Sequence, residues 1–290
     1  MRVLITGAGG QLGRQLVRTA PSIATVKATN RSDLDLSDGK AIGGLLEEFR
    51  PTLVLNAATY TQVDKAESER SAAWRSNADG PALLGAAVRL HDDCRLKHIS
   101  SDYVFDGNAS LPYGPKAATA PLSVYGQTKL EGERAVLQAL GLRSLVLRTS
   151  WVYGPHGRKF LHTMLSLMRE HGSVREVDDQ IGSPTATPSL AEVIWAIASC
   201  PALAGIYHWA DAGLASWYDF VVAIAEEATM RALLPSGIDL RAIATEVYPT
   251  PAKRPRFSLL DKRQTVSAIA IVPQHWRSRR RQVLDEIGHD

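Results

Sequence analysis

Over the first half of the chain, short apolar runs alternate with longer stretches whose apolar positions recur every three to four residues. The runs lie at 2–6, 24–28, 53–57, 96–100 and 144–149, and several are apolar throughout rather than alternating with polar residues. Strands buried on both faces of a parallel sheet have this pattern. Between them, 11–20, 40–49, 70–90 and 127–140 carry helical periodicity, with Pro21, Pro51 and Gly141 standing where three of them must stop. Strand–helix alternation at this spacing predicts βαβ units in a Rossmann-like, doubly wound parallel α/β sheet.

Beyond about Gly154 the pattern loosens. Pro and Gly become frequent, Trp195, Trp209, Trp217 and Trp276 occur singly, and helical segments at 159–171 and 217–229 are separated by irregular loops. The expected division is a dinucleotide-binding domain over 1–154, completed by part of 180–205, and a smaller α/β substrate-binding lobe over 155–290.

Composition narrows the class. With 290 residues, 45% hydrophobic and 22% charged, the chain buries a sizeable core and is neither disordered nor a rod. Cys94 and Cys200 lie too far apart in sequence to suggest a disulfide framework or a paired metal site, which points to a reducing cytosol. The N-terminal apolar run is too short for a signal segment. The longest apolar stretch, 194–210, is interrupted by Pro201, Gly205 and His208. The expectation is a cytoplasmic protein with no membrane partner. The net charge of +3 says little about partners. Much of the basic excess sits in one run, Arg277 to Arg281, which reads as a solvated helix face rather than a nucleic-acid patch.

Candidate chemistry begins at Gly7-Ala-Gly-Gly10-Gln-Leu-Gly13, which leaves the first predicted strand and opens the first helix. Gly7 permits the tight turn, Gly10 lets backbone approach a pyrophosphate, and Gly13 lets the helix pack closely on the strand. The pyrophosphate then sits on the helix N-terminus. After the second strand, Thr29-Asn30-Arg31 has no acid to hold ribose hydroxyls, and Arg31 suits a 2′-phosphate. That tilts the cofactor towards NADPH, with NADH as the alternative.

Tyr125 and Lys129 stand four residues apart at the start of a helix, on one face. A tyrosine is a poor acid at neutral pH, and an ammonium one turn away is expected to lower its pKa toward working range. Ser101, at the end of the fourth strand, is placed to donate to a substrate carbonyl. Asn56, Ala57 and Ala58 end the third strand, small enough to leave room for a cofactor. Asn77 opens an apolar helical stretch and is placed to support a water or the lysine.

In this order and spacing, Gly7 to Gly13, Asn56-Ala-Ala, Asn77, Ser101 and Tyr125 to Lys129 resemble the extended short-chain dehydrogenase/reductase superfamily. Further runs resemble its dTDP-4-dehydrorhamnose reductase family. They are Asp33-Leu-Asp-Leu36, Asn56 to Glu67, Ser101-Asp-Tyr-Val-Phe-Asp-Gly107, Arg148-Thr-Ser-Trp-Val-Tyr-Gly154, Asp179-Gln-Ile-Gly-Ser-Pro-Thr185 and Ser216-Trp-Tyr-Asp-Phe220. The resemblance implies NAD(P)H-dependent reduction of the C4 ketone of a dTDP-4-keto-6-deoxy sugar, in deoxysugar biosynthesis for cell-surface polysaccharide. It implies Ser101, Tyr125 and Lys129 as the catalytic trio, with Ser101 where the family commonly has Thr. It also implies Gly10, Gln11 and Leu12 at the pyrophosphate, Asp35 and Leu36 at adenine, and Ala58, Thr59 and Tyr60 flanking the cofactor. Asp102 and Trp151 would touch the sugar nucleotide, and Arg254, in a run resembling the family's Arg-Pro-x-x-Ser-x-Leu signature, its diphosphate. By resemblance alone come a homodimer and a Mg ion, since no His/Asp/Glu cluster in the sequence has ligand spacing. Two departures are Arg158-Lys159, where the family commonly has asparagines, and the basic run at 277–281.

Two other classes share this cofactor site. A 4,6-dehydratase typically follows the Ser/Thr with an Asp-Glu pair, whereas Asp102 is followed here by Tyr103, which favours net hydride transfer. A non-catalytic NADP-binding regulatory subunit, like that of methionine adenosyltransferase, stays open, with the intact trio against it.

Overall fold

The computed structural model describes residues 1–156 and 160–289, so Arg158 and Lys159 lie outside the described residues. The main strands are β1 (Arg2–Thr6), β2 (Thr25–Thr29), β3 (Leu53–Asn56), β4 (Arg95–Ser101), β5 (Ser144–Thr149) and β6 (Gly205–His208). The longer helices are α1 (Gln11–Arg18), α2 (Gly39–Phe49), α3 (Gly80–Arg89), α4 (Val124–Leu140), α5 (Phe160–His171), α6 (Thr187–Ala198), α7 (Trp217–Met230) and α8 (Trp276–His289).

The six strands form one parallel sheet in the order β2-β1-β3-β4-β5-β6. Alternate side chains feed its two faces. Val3, Ile5, Leu53, Leu55, Leu145 and Leu147 pack against Leu190, Ile194 and Trp195 of α6. Leu4, Val54 and Leu96 pack against Ile42 and Leu46 of α2, Leu84 and Val88 of α3, and Val136 and Leu140 of α4. Both faces are covered, which is why these strands read as unbroken apolar runs. The chain leaves β1 to one side for β2 and returns to its other side for β3. A crevice therefore opens at the carboxyl ends of β1 and β3, the topological switch point.

One predicted helix is interrupted. The stretch 70–90 forms as Arg70–Trp74, a π-helical turn at Arg75–Asp79, and α3. The Gly80 N–H reaches back five residues to the Arg75 carbonyl. Pro81, next in line, has no N–H to continue the regular ladder.

A separate apolar cluster packs α5, α7 and α8 with a parallel ribbon of Ser173–Val177 and Asp239–Ile243 around Met168, Phe220, Ile224 and Trp276. The basic run is in part the solvated face expected, with the Arg277 and Arg281 side chains half-exposed, and in part a clasp onto neighbouring helices. Arg279 pairs with Glu192 of α6 at 3.0 Å, while Arg280 and Arg281 share Glu227 of α7 at 3.0 and 2.7 Å. Arg280 is only 1% exposed and lies over the Trp276 ring. Among the described residues no helix is long and apolar enough to cross a membrane.

Candidate active site

The glycine loop is shaped by close approach. Gly7 has φ +73°, and a Cβ there would lie 2.6 Å from the Ala58 backbone. A Cβ on Gly13 would strike the Gly7 carbonyl and come within 2.6 Å of the Ala8 Cα. The turn, the end of β3 and the first turn of α1 thus meet backbone to backbone. Asp38, Ser123 and Ser216 cap α2, α4 and α7 with side-chain oxygens. No side chain caps α1, and no acid lies in its first turn. Its leading amides remain available to an anion. These features fit the pyrophosphate of a dinucleotide.

A cavity of about 970 Å³ runs from this loop along the carboxyl edge of the sheet. Eighteen of the sequence-predicted residues line it: Gly7, Gly10, Gln11, Leu12, Gly13, Asn30, Arg31, Asp35, Leu36, Ala57, Ala58, Thr59, Tyr60, Ser101, Asp102, Tyr125, Lys129 and Trp151. Asn56, Asn77 and Arg254 do not. Asn56 is fully buried, accepting from the Thr6 hydroxyl at 2.8 Å and the Ala58 N–H at 3.1 Å. Asn77 sits in the π-helical turn and pins the loop after β3. Its Oδ1 accepts from the Thr59 hydroxyl and the Tyr60 N–H at 2.9 and 2.8 Å. Its amide donates to the Tyr60 carbonyl and the Thr128 hydroxyl. Both asparagines shape the cavity wall from behind. Arg254 is held bidentately by Asp64, at 2.7 and 3.0 Å, tying its segment to the short helix Val63–Ser68.

Ser101, Tyr125 and Lys129 converge where β4 meets α4. Two glycines allow this. A Cβ on Gly126 would strike the Tyr103 carbonyl, and one on Gly132 the Asn77 carbonyl, so α4 lies tight against both. The Ser101 hydroxyl donates to Asp102 Oδ1 at 3.0 Å and accepts from the Tyr103 N–H at 3.2 Å. Lys129, 2% exposed, donates to the Ile99 carbonyl at 2.7 Å. Burial pulls its pKa down to about 8. The expected lowering of the tyrosine is reversed. Burial pushes Tyr125 up to about 12, with the nearby Asp102 adding to it and a hydrogen bond to Ser101 opposing it. A raised pKa keeps the phenol protonated, the state a proton donor needs.

The far end of the cavity is aromatic. Trp151, with φ +46°, stacks on Trp217 at 3.6 Å between ring centroids and 6° between planes. Phe160 leans on Trp217 at 4.5 Å. Trp217 begins α7 behind a Ser216–Asp219 capping box. Trp217, Phe160 and Arg75 line the cavity and were not singled out as site residues from sequence. The Ser216–Phe220 run contained the signal for Trp217, whereas Arg75, the first residue of the π-helical turn, carried none. Among the described residues there is no group of three or more His, Cys, Asp or Glu side chains able to hold a metal.

A glycine loop at the switch point of a parallel sheet, with serine, tyrosine and lysine at the next strand edge, defines a nucleotide-binding oxidoreductase of the extended short-chain type. The sequence pattern described as the RmlD substrate binding domain matches residues 1–288. The chain belongs to that family. It is 41% identical over 283 residues to the dTDP-4-dehydrorhamnose reductase of Aggregatibacter actinomycetemcomitans, covering 95% of this chain and 96% of that protein. It is also 41% identical over 288 residues to a probable dTDP-4,6-dihydroxy-2-methyloxan-3-one 4-ketoreductase of Streptomyces antibioticus, covering 99% and 96%. The crystal structure of the Bacillus anthracis dTDP-4-dehydrorhamnose reductase in complex with NADP superposes with a TM-score of 0.92 at 31% identity, covering 98% of this chain and 99% of that one.

Proposed function

We propose that this protein reduces the C4 ketone of dTDP-4-dehydro-L-rhamnose to dTDP-L-rhamnose, with NADPH as the reductant. The single observation that carries this reading is the convergence of the glycine loop, the Ser101–Tyr125–Lys129 trio and the Trp151–Trp217 wall on one cavity. The bound nicotinamide supplies the hydride. The chain's own groups handle the oxygen: the Ser101 hydroxyl orients the carbonyl, and the Tyr125 phenol passes its proton to the forming alkoxide. Lys129, buried and anchored on Ile99, places a positive charge one helical turn from Tyr125 that favours its proton release. The tandem tryptophans offer a flat face to the sugar nucleotide. The sheet with α6 and β6 carries the cofactor, and the second lobe carries the sugar.

NADPH is preferred over NADH because Asn30 replaces an acid at the ribose position and both Arg31 and Arg75 line that end of the cavity. Asp33 and Asp35 are engaged by their own turns, at the Asn30 N–H and at Ser37. The Streptomyces antibioticus relative supports a second reading, reduction of a different dTDP-4-keto sugar by the same steps. A dehydratase is disfavoured because Tyr103, packed edge-on to Tyr125 at 5.5 Å, stands where a glutamate base would be needed.

The test is loss of nicotinamide absorbance when purified protein receives dTDP-4-dehydrorhamnose with NADPH or NADH, with the product identified by NMR. Turnover to dTDP-L-rhamnose supports the proposal. Cofactor binding without oxidation would favour a regulatory subunit instead.

A further inference from the structure

Tyr125 and Lys129 continue along α4 into a third member of the same stripe, Glu133, at i, i+4 and i+8. Glu133 is 1% exposed. Its carboxylate is gripped by Arg148 of β5, 2% exposed, through contacts of 2.9, 3.2 and 2.6 Å. Arg148 is held in turn over the Phe105 ring and against the Pro115 carbonyl. A buried ion pair is weak evidence for a stabilising role, since apolar residues of similar volume do as well. Its position, one turn below the lysine and sealed from solvent, calls for another explanation.

We infer that Glu133 is a positioning residue for the reductase proposed above: oriented by Arg148, its carboxylate keeps the Lys129 ammonium charged beside Tyr125. The inference rests on that functional reading for its link to turnover.

The groups around Lys129 leave this task to Glu133. On its own helix it meets Tyr125 and Glu133. From β4 it meets the Ile99 carbonyl and His98. The His98 Nδ1 lies 3.0 Å from the Asn56 amide, which makes it an acceptor. Burial and the neighbouring Lys129 hold His98 well below its ordinary pKa, so it is neutral. From β5 comes Arg148, already committed to Glu133. Burial drags Lys129 down to about 8, and Glu133 is the charge that opposes it. An opposite charge at this range moves a pKa by about one to three units. Without Glu133, Lys129 would lose its proton within the working pH range.

The experiment follows the Lys129 titration by NMR of protein carrying ¹³Cε-lysine, with the resonance assigned by its loss in Lys129→Met. The pH profile of kcat/KM is measured in parallel. Glu133→Gln is expected to lower the Lys129 titration by at least about one unit. Its rate deficit should then be smallest near pH 6 and grow about tenfold towards alkaline pH. Because Glu133→Gln leaves Arg148 unpaired, the double variant Glu133→Met with Arg148→Met removes both buried charges. It is expected to restore thermal stability while keeping the lowered titration. A Lys129 titration that stays at its wild-type value in either folded variant overturns the inference and leaves the pair a structural role. A shifted titration in a protein that never oxidises cofactor would support the electrostatic role of Glu133 and refute only the functional reading.

Discussion

Asp102→Asn separates what the site needs from what the fold tolerates. Asp102 follows Ser101 at the end of β4, is 1% exposed and lines the cavity. Burial pushes its carboxyl from 3.8 to about 6, against hydrogen bonds with Ser258 and Ser101 that pull it down. The folded pKa lies above the unfolded one. Its contribution to stability is therefore fully present below about pH 4 and is lost as pH rises through about 6. A shift of about two units corresponds to about 3 kcal/mol. Asparagine keeps an acceptor for the Ser101 hydroxyl and cannot ionise. The stability of the variant relative to wild type should thus rise by about 3 kcal/mol between pH 4 and pH 8, whatever the offset from changed hydrogen bonding. Urea unfolding followed by tryptophan fluorescence across that range reads the difference directly, because other titrating groups are common to both proteins. A difference that is flat with pH, or that falls, would refute the reasoning.

Three further outcomes are expected. Tyr125→Phe should lower kcat by about 10²- to 10⁴-fold, the usual worth of a general acid, with NADPH affinity retained in a fluorescence titration; substantial residual turnover would remove Tyr125 as donor. Trp217→Ala should raise KM for the dTDP-sugar about tenfold, because the stack with Trp151 is worth about 0.5–1.5 kcal/mol and also holds the ring in place. An unchanged sugar KM would exclude Trp217 from the substrate wall. Gly13→Ala should weaken NADPH binding at least about tenfold by calorimetry, since its Cβ must push α1 away from the Gly7 carbonyl at an overpacking cost of about 1–3 kcal/mol; affinity within threefold of wild type would contradict the close-approach role.

Most of what was legible in the sequence is local. The runs at 2–6 and 144–149 coincide with β1 and β5, and the other three early strands differ by a residue or so at their ends. The spacing of Gly7, Gly10 and Gly13 announced a phosphate loop because turn, strand exit and helix start are neighbours in the chain. Tyr125 and Lys129 were readable because four residues make one helical turn. What was missed is long-range. The pairing of Arg254, a candidate for the diphosphate by resemblance, with Asp64 could not be read, because that carboxylate comes from a helix far away in sequence. The basic run at 277–281 is solvated only in part, because α6 and α7 bring Glu192 and Glu227 to it and bury Arg280. The ammonium expected to acidify Tyr125 is anchored on the Ile99 carbonyl, and burial outweighs it at the tyrosine.

By itself, then, the sequence determined the parallel sheet, its switch-point loop and the identity of the groups that meet there, because periodicity, glycine geometry and helical spacing act within a few residues. Only the tertiary structure decided which charges are neutralised, which pKa values move and in which direction, and that Trp217 and Glu133 stand behind Trp151 and Lys129. Those properties depend on burial and on partners from distant segments, and both come into being only when the chain has closed around the cavity.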